Sequence, residues 1–277
     1  MQSVKNSIKN VVYPLIKAQP DFLILGAQKA GTTSLYNYLI QHPKILKNTS
    51  FKEVRYFDRD EHYNLGLGWY LGHFPSKLSK GDRLSCDASP NYLYYEDVPK
   101  LIKQDLGNIK MIAILREPAS RAYSAWQMFH SFFDIDNDHL RPFYDSRNFS
   151  EAVKEEFEPD FDYHKYPFRY DYVDRGKYVY QFENYYKYFD KNLLMIISMD
   201  QLKKDRGGTL NKICDFLEIE QFSEEMLQKL EQEQYNVGKY KKEEKSQKDQ
   251  ETIQFLKEYY APFNHKLYEL LGYEYSW

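Results

Sequence analysis

The chain has 277 residues and a formal net charge of −3. That length suits one large α/β domain with a sizeable core, and the charge lacks the global basic field of a nucleic-acid binder. Its two cysteines, Cys86 and Cys214, are far apart and suggest neither a disulfide framework nor a zinc site. No run approaches the roughly 18 apolar residues of a membrane span.

The first 19 residues, MQSVKNSIKNVVYPLIKAQ, read as an N-terminal extension. Their short apolar run is interrupted by Pro14 and lacks the h-region of a signal peptide, so a soluble cytoplasmic protein is expected. Asp21 to Thr33, DFLILGAQKAGTT, passes from an apolar tetrad that suits a strand buried on both faces into a glycine-bearing loop. Leu35, Tyr38 and Leu39 then recur at helical spacing, so the loop opens a helix. Ile45–Leu46 begins a short second strand, and HYNLGLGWYLGHFP (62–75) a loop with a short helix. Leu84 to Ala88 reads as a strand, and Tyr92 to Leu106 as a helix. Lys110 to Arg116, KMIAILR, is the clearest buried strand, with a helix following from Ala119 to Phe133. Residues 134–176 are polar and aromatic, with a helix near Ser150 to Glu156, and read as an insertion on the acceptor side or a solvated excursion. Helices over Tyr178–Phe189, Thr209–Leu217 and Glu251–Leu271 and a strand at Leu193–Ser198 complete the pattern. Residues 223–250 are charged enough to read as solvated chain. Strands alternating with helices predict a single α/β domain over 1–277, with a mostly parallel central sheet flanked by helices.

Strand, glycine loop and helix N-terminus make an anion cradle, because the first-turn N–H groups and the helix dipole both favour negative charge. Gly26 and Gly31 have Walker A separation, but Thr32 stands where that motif needs its lysine, and the only lysine, Lys29, sits inside the loop. Such a loop can hold one 5′-phosphate through its N–H groups and the Thr32 and Thr33 hydroxyls, and is poorly built for Mg-ATP. A plain tight turn is about as common an origin of a lone loop of this kind. Arg116, at the carboxyl end of its strand, can grip a second phosphate bidentately, with Ser124 adding a hydroxyl. Glu53, between Lys52 and Arg55 with Asp58 close by, is a candidate general base, although most such glutamates are surface residues. Gly238-Lys239-Tyr240 is a weaker candidate for closing over a phosphate.

With these residues assembled, the chain resembles the PAPS-dependent sulfotransferases, which use 3′-phosphoadenosine 5′-phosphosulfate. It is most similar to their heparan-sulfate N- and 3-O-sulfotransferase branch. ILGAQKAGTTSLYNYL, KEVRYFD, HYNLGLGWYLGHFP, DASPNYL and ILREPASRAYSAWQMF carry the likeness in the family's order. The resemblance implies a P-loop-like sulfotransferase fold in which Lys29, Ala30, Gly31, Thr32 and Thr33 hold the 5′-phosphate. Lys29 would also stabilise the leaving oxygen, Arg116 and Ser124 would hold the 3′-phosphate, Gly238, Lys239 and Tyr240 would close on the nucleotide, and Glu53 would be the catalytic base. The resemblance further implies that the transfer would need no metal and that its acceptor would be a hydroxyl or amine, with carbohydrate or a glycosylated metabolite favoured. Two departures bear on the acceptor side. Ala88 replaces the lysine of the family's E-K-T/S-P-like motif, whose role passes to Lys52, to solvent or to nothing, and Arg55 replaces the histidine two residues after the base. A kinase-like phosphotransferase and a non-catalytic nucleotide-binding module are the competing readings.

Overall fold

The computed structural model describes residues 2–48, 51–133, 139–162, 170–232 and 244–277, with side chains from residue 6 onward. In chain order the elements begin with α1 (Gln2–Ile16), β1 (Phe22–Gly26), α2 (Thr32–Leu39) and β2 (Ile45–Leu46). Three short helices follow, α3 (Asp60–Tyr63), α4 (Leu67–Leu71) and α5 (Lys77–Lys80), then β3 (Leu84–Ala88), α6 (Val98–Leu106) and β4 (Lys110–Leu115). The rest comprises α7 (Pro118–His130), α8 (Phe149–Glu155), α9 (Tyr178–Tyr186), β5 (Leu194–Ser198), α10 (Met199–Lys204), α11 (Arg206–Leu217), α12 (Glu224–Gln232) and α13 (Gln247–Leu271). The chain divides into two compact units, residues 1–115 with 183–236, and 116–182 with 237–277.

The first unit is built on a five-stranded sheet in the order β2-β3-β1-β4-β5. Every pairing is parallel. Parallel strands covered on both faces must be apolar along their length. Phe22–Leu25 and Met111–Leu115 accordingly have no more than trace exposure. Leu35 and Leu39 of α2 pack on the sheet in one apolar cluster with Leu202, Ile213, Leu217 and Leu230 from the later helices. The α/β class and the parallel sheet flanked by helices are therefore as expected. The N-terminal extension is helical. Asn10 on α1 accepts from the Gly68 N–H at 2.8 Å and donates to the Leu65 carbonyl at 3.0 Å. The helix expected from Tyr92 starts only at Val98, because Pro90–Asp97 runs through turns. Likewise, residues 223–250 include α12 and the start of α13, since Leu230 and Asp249 have buried places to fill.

The second unit has its own core, in which α7 and α13 pack with α8 around Tyr123, Trp126, Phe149, Tyr172 and Tyr260. Glu117 caps α7, its carboxylate accepting from the Ala119 and Ser120 N–H groups at 2.8 Å each, with Pro118 as the first helical residue. Ser246 and Asp249 form a capping box at the head of α13. The described part of 134–176 is no solvated excursion: Phe149, Val153, Tyr172 and Val173 are buried in this core.

Candidate functional site

β1 ends by handing the chain to a loop that is fixed at both sides. The Ala27 N–H donates to the Ile114 carbonyl at 2.7 Å, and the Ala30 N–H to the Ala27 carbonyl at 3.1 Å. Gly26 has no room for a side chain: a Cβ there would lie 2.7 Å from the Pro90 carbonyl oxygen and 2.8 Å from Leu93 Cβ. Gly31 is required for a different reason. Space around it is ordinary, but its φ of +101° is costly for any residue with a Cβ. Gly31 stands at the N-cap of α2 and provides no capping side chain. The first-turn N–H groups beginning at Thr32 are thus not taken by a cap, which is the condition for receiving an anion. Lys29 is half-buried within the loop at φ +65°.

Beside the cradle lies a cation that the sequence offers as a neighbour of Glu53 and as one stand-in for the missing motif lysine. Lys52 Nζ donates to Thr33 Oγ1 at 2.8 Å and to Glu53 Oε1 at 2.9 Å. Thr33, Lys52 and Glu53 are therefore brought together, with the ammonium between cradle hydroxyl and carboxylate. The Lys52 side chain is 17% exposed and that of Glu53 is 41% exposed, so the carboxylate is open to an incoming molecule while its cation is largely enclosed. Ala88 is fully buried in the sheet core, and its N–H donates to the Lys52 carbonyl at 3.2 Å. No cation comes from position 88, and the nearest basic group shown at Glu53 is the Lys52 ammonium. Arg55 is turned away from base chemistry. Its Nε and Nη2 both donate to Asp58 Oδ2, at 2.9 and 2.7 Å, and Asn91 adds a third donor at 3.1 Å.

Behind this segment sits Asp87, a wholly buried carboxyl on β3. Burial pushes it up to about 6, against the pull of hydrogen bonds from Tyr92, Ser89 and Val54, while the Asp58 charge adds to the rise. Its neighbour Cys86 is buried too, and burial raises its thiol out of the reactive range.

Arg116 and Ser124 belong to the second unit. Arg116 directly precedes the capped head of α7, and its carbonyl accepts from the Tyr178 hydroxyl at 2.9 Å. Arg116 and Ser124 are both half-buried, whereas Arg121 between them is fully buried and donates to the Tyr172 carbonyl. Arg121 is thus a core residue, whereas Arg116 and Ser124 each keep part of their surface exposed. Gly238, Lys239 and Tyr240 lie outside the described residues. Among the described residues no group of three or more His, Cys, Asp or Glu side chains could hold a metal ion. No described helix is long and apolar enough to cross a membrane.

Comparison with known proteins gives this geometry a family. The model of the sulfotransferase domain matches residues 19–266. The bifunctional heparan sulfate N-deacetylase/N-sulfotransferase 4 of Mus musculus is 30% identical over 269 residues, covering 91% of this chain and 30% of that protein. Heparan sulfate glucosamine 3-O-sulfotransferase 3B1 of Homo sapiens is 25% identical, covering 94% of this chain and 65% of its own length. The chain thus spans about a third of the length of the bifunctional relative. Among solved structures, a sulfotransferase from Alicyclobacillus acidocaldarius superposes with a TM-score of 0.69 at 24% identity, covering 94% of this chain and 98% of that one.

Proposed function

Because this chain belongs to the sulfotransferase domain family, we propose that it moves the sulfuryl group of PAPS to a hydroxyl or amine of an acceptor, with carbohydrate as the acceptor class. The observation that carries the reading is the Lys52 ammonium bonded at once to Thr33 of the anion cradle and to Glu53. It ties the anion cradle to an accessible carboxylate. The similar relatives named for heparan sulfate support the carbohydrate part.

A helix head opened by a left-handed glycine that offers no capping side chain fits a 5′-phosphate. When bound, PAPS supplies an activated sulfur and a doubly charged leaving group. Thr32, Thr33 and the first-turn N–H groups hold the 5′-phosphate, while Lys29 neutralises charge on the oxygen that departs from sulfur. Such preorganised donors stabilise the transition state more than the ground state. Glu53 takes the proton from the acceptor oxygen or nitrogen as that atom bonds to sulfur. The bond between sulfur and the 5′-phosphate oxygen breaks in line, and its electron pair leaves with 3′,5′-ADP. Lys52 orients Glu53 toward the acceptor. By the family resemblance Arg116 and Ser124 would hold the 3′-phosphate.

Isothermal titration with 3′,5′-ADP against 5′-AMP, in EDTA, tests the donor assignment. A tenfold or greater preference for the bis-phosphate is expected, and equal affinity would overturn it. Incubation with PAPS and de-N-sulfated heparin in EDTA then tests transfer: sulfated glycan and 3′,5′-ADP should form in equal amounts. Phosphate transfer from Mg-ATP in place of this would overturn the sulfotransferase reading.

A further inference from the structure

We propose that Asp87 is a positioning residue for Glu53: its buried carboxylate anchors the backbone that carries the base. This inference rests on the reading of Glu53 as the base. The segment from Lys52 to Tyr56 belongs to no strand, so no sheet ladder holds its N–H groups, and buried N–H groups must find partners elsewhere. Three consecutive ones end on Asp87, directly or through one hydroxyl. The Val54 N–H donates to Asp87 Oδ1 at 3.3 Å. The Arg55 N–H donates to Ser89 Oγ at 3.1 Å, and that hydroxyl donates to Oδ1 at 2.8 Å. The Tyr56 N–H donates to Tyr92 Oη at 2.9 Å, and that hydroxyl donates to Oδ2 at 2.7 Å. Tyr70 adds a longer bond to Oδ2 at 3.3 Å.

Successive N–H groups of an extended chain point to opposite sides, so three of them converge only if the chain turns. Arg55 supplies the turn, at φ +56°. Consecutive N–H groups around a left-handed residue form a concavity suited to an anion, and here the anion is a side chain of the next strand. Four donors aim at the two oxygens of Asp87, and a carboxylate accepts all four without any of them reorienting. An amide would present NH₂ to one pair. The device acts on the residue adjoining Val54, which is Glu53, and the Ala88 N–H to Lys52 carbonyl bond holds the other side. The DASP stretch lacks the family's lysine, yet through Asp87 it fixes where the Glu53 carboxylate and its Lys52 partner stand.

The test is a double-mutant cycle of Glu53→Gln with Asp87→Asn, read as 3′,5′-ADP release from PAPS with de-N-sulfated heparin as probe acceptor. Tyr92→Phe serves as a second variant, because it removes the bridging hydroxyl and keeps the ring, should Asp87→Asn fold poorly. A base misplaced by about 1 Å costs on the order of 100-fold in kcat. Asp87→Asn is expected to lose about that much, and Tyr92→Phe about tenfold. Affinity for 3′,5′-ADP should stay within twofold, and hydrogen exchange should quicken at Val54, Arg55 and Tyr56. In the Glu53→Gln background Asp87→Asn should add less than threefold, since it acts through a base already gone. Full kcat in Asp87→Asn and Tyr92→Phe beside an impaired Glu53→Gln would overturn the inference alone, as would fully multiplicative losses. Full kcat in Glu53→Gln would overturn the base reading and the inference together.

Discussion

Replacing Lys52 by Met separates what the ammonium does for the fold from what it does for the reaction. Its two bonds, 2.8 Å to Thr33 and 2.9 Å to Glu53, are charge-assisted or close to it. For stability their value is small, because Glu53 is 41% exposed and exposed pairs contribute roughly 0.2–1 kcal/mol. In a chain of 277 residues that moves the melting temperature by about 2–4 °C at most. For the reaction the same ammonium orients the base beside the departing charge. Removing one preorganised donor at such a place costs roughly 2.7–4 kcal/mol, or about 100- to 1,000-fold in kcat. Lys52→Met should therefore melt within a few degrees of the parent, bind 3′,5′-ADP with little change, and lose at least 100-fold in kcat for PAPS with de-N-sulfated heparin. Lys52→Arg should recover only part, since a planar guanidinium cannot reproduce the lysine geometry. A kcat for Lys52→Met within threefold of the parent would refute the reasoning and reduce the pair to a surface contact.

Arg116→Ala should raise the KM for PAPS at least tenfold with kcat changed little, by steady-state kinetics; an unchanged KM removes the 3′-phosphate assignment. Gly68→Ala should loosen α1, because a Cβ there would lie 2.3 Å from the Lys9 carbonyl oxygen. A loss of about 1–3 kcal/mol is expected in urea unfolding, and an unchanged midpoint would contradict the packing of α1 on α4. Unfolding should also depend on pH through Glu156, whose carboxylate faces the Tyr172 and Val173 N–H groups and Asp171, and which burial pushes up to about 8. The folded state then holds a proton that the unfolded state releases from about pH 4.5 upward. Stability from this group is present below about 4.5 and is lost as pH rises to about 8. Glu156→Gln should flatten urea stability between pH 5 and pH 8, and a slope equal to the parent's would contradict it.

Most of the fold was legible because parallel strands covered on both faces leave an unambiguous trace. KMIAILR became β4 inside the sheet, buried from Met111 to Leu115, and LLMIIS became the edge strand β5, where Met195 and Ile196 are half-buried. The misses share a cause, which is that helix packing partners lie far away in sequence. QSVKNSIKNVVYPLI has an uneven apolar pattern and an internal Pro14, and its helix rests on Asn10 bonding to Gly68 and Leu65 about 55 residues on. Asn91 and Tyr92 continue a helical rhythm, yet the chain there is spent on bonds to Asp58, Tyr56 and Asp87, so the helix waits until Val98.

The candidate site divides along the same line. The cradle could be read locally, since Gly26, Lys29, Gly31 and Thr33 lie within eight residues and a left-handed glycine before a helix is a sequence-level feature. Lys52 and Asp87 could not. Lys52 was visible as a charge beside Glu53 and as one stand-in for the missing lysine, but its bond to Thr33 spans 19 residues and depends on where the turn at Arg55 puts the segment. Asp87 looked like the remnant of a motif whose lysine was lost. Its worth lies in the N–H groups of Val54, Arg55 and Tyr56, which periodicity cannot count because they belong to no strand. One signal was nevertheless present: an acidic residue at the end of an otherwise apolar strand must be compensated by donors. Ser89 and Tyr92, two and five residues on, were candidates to supply them.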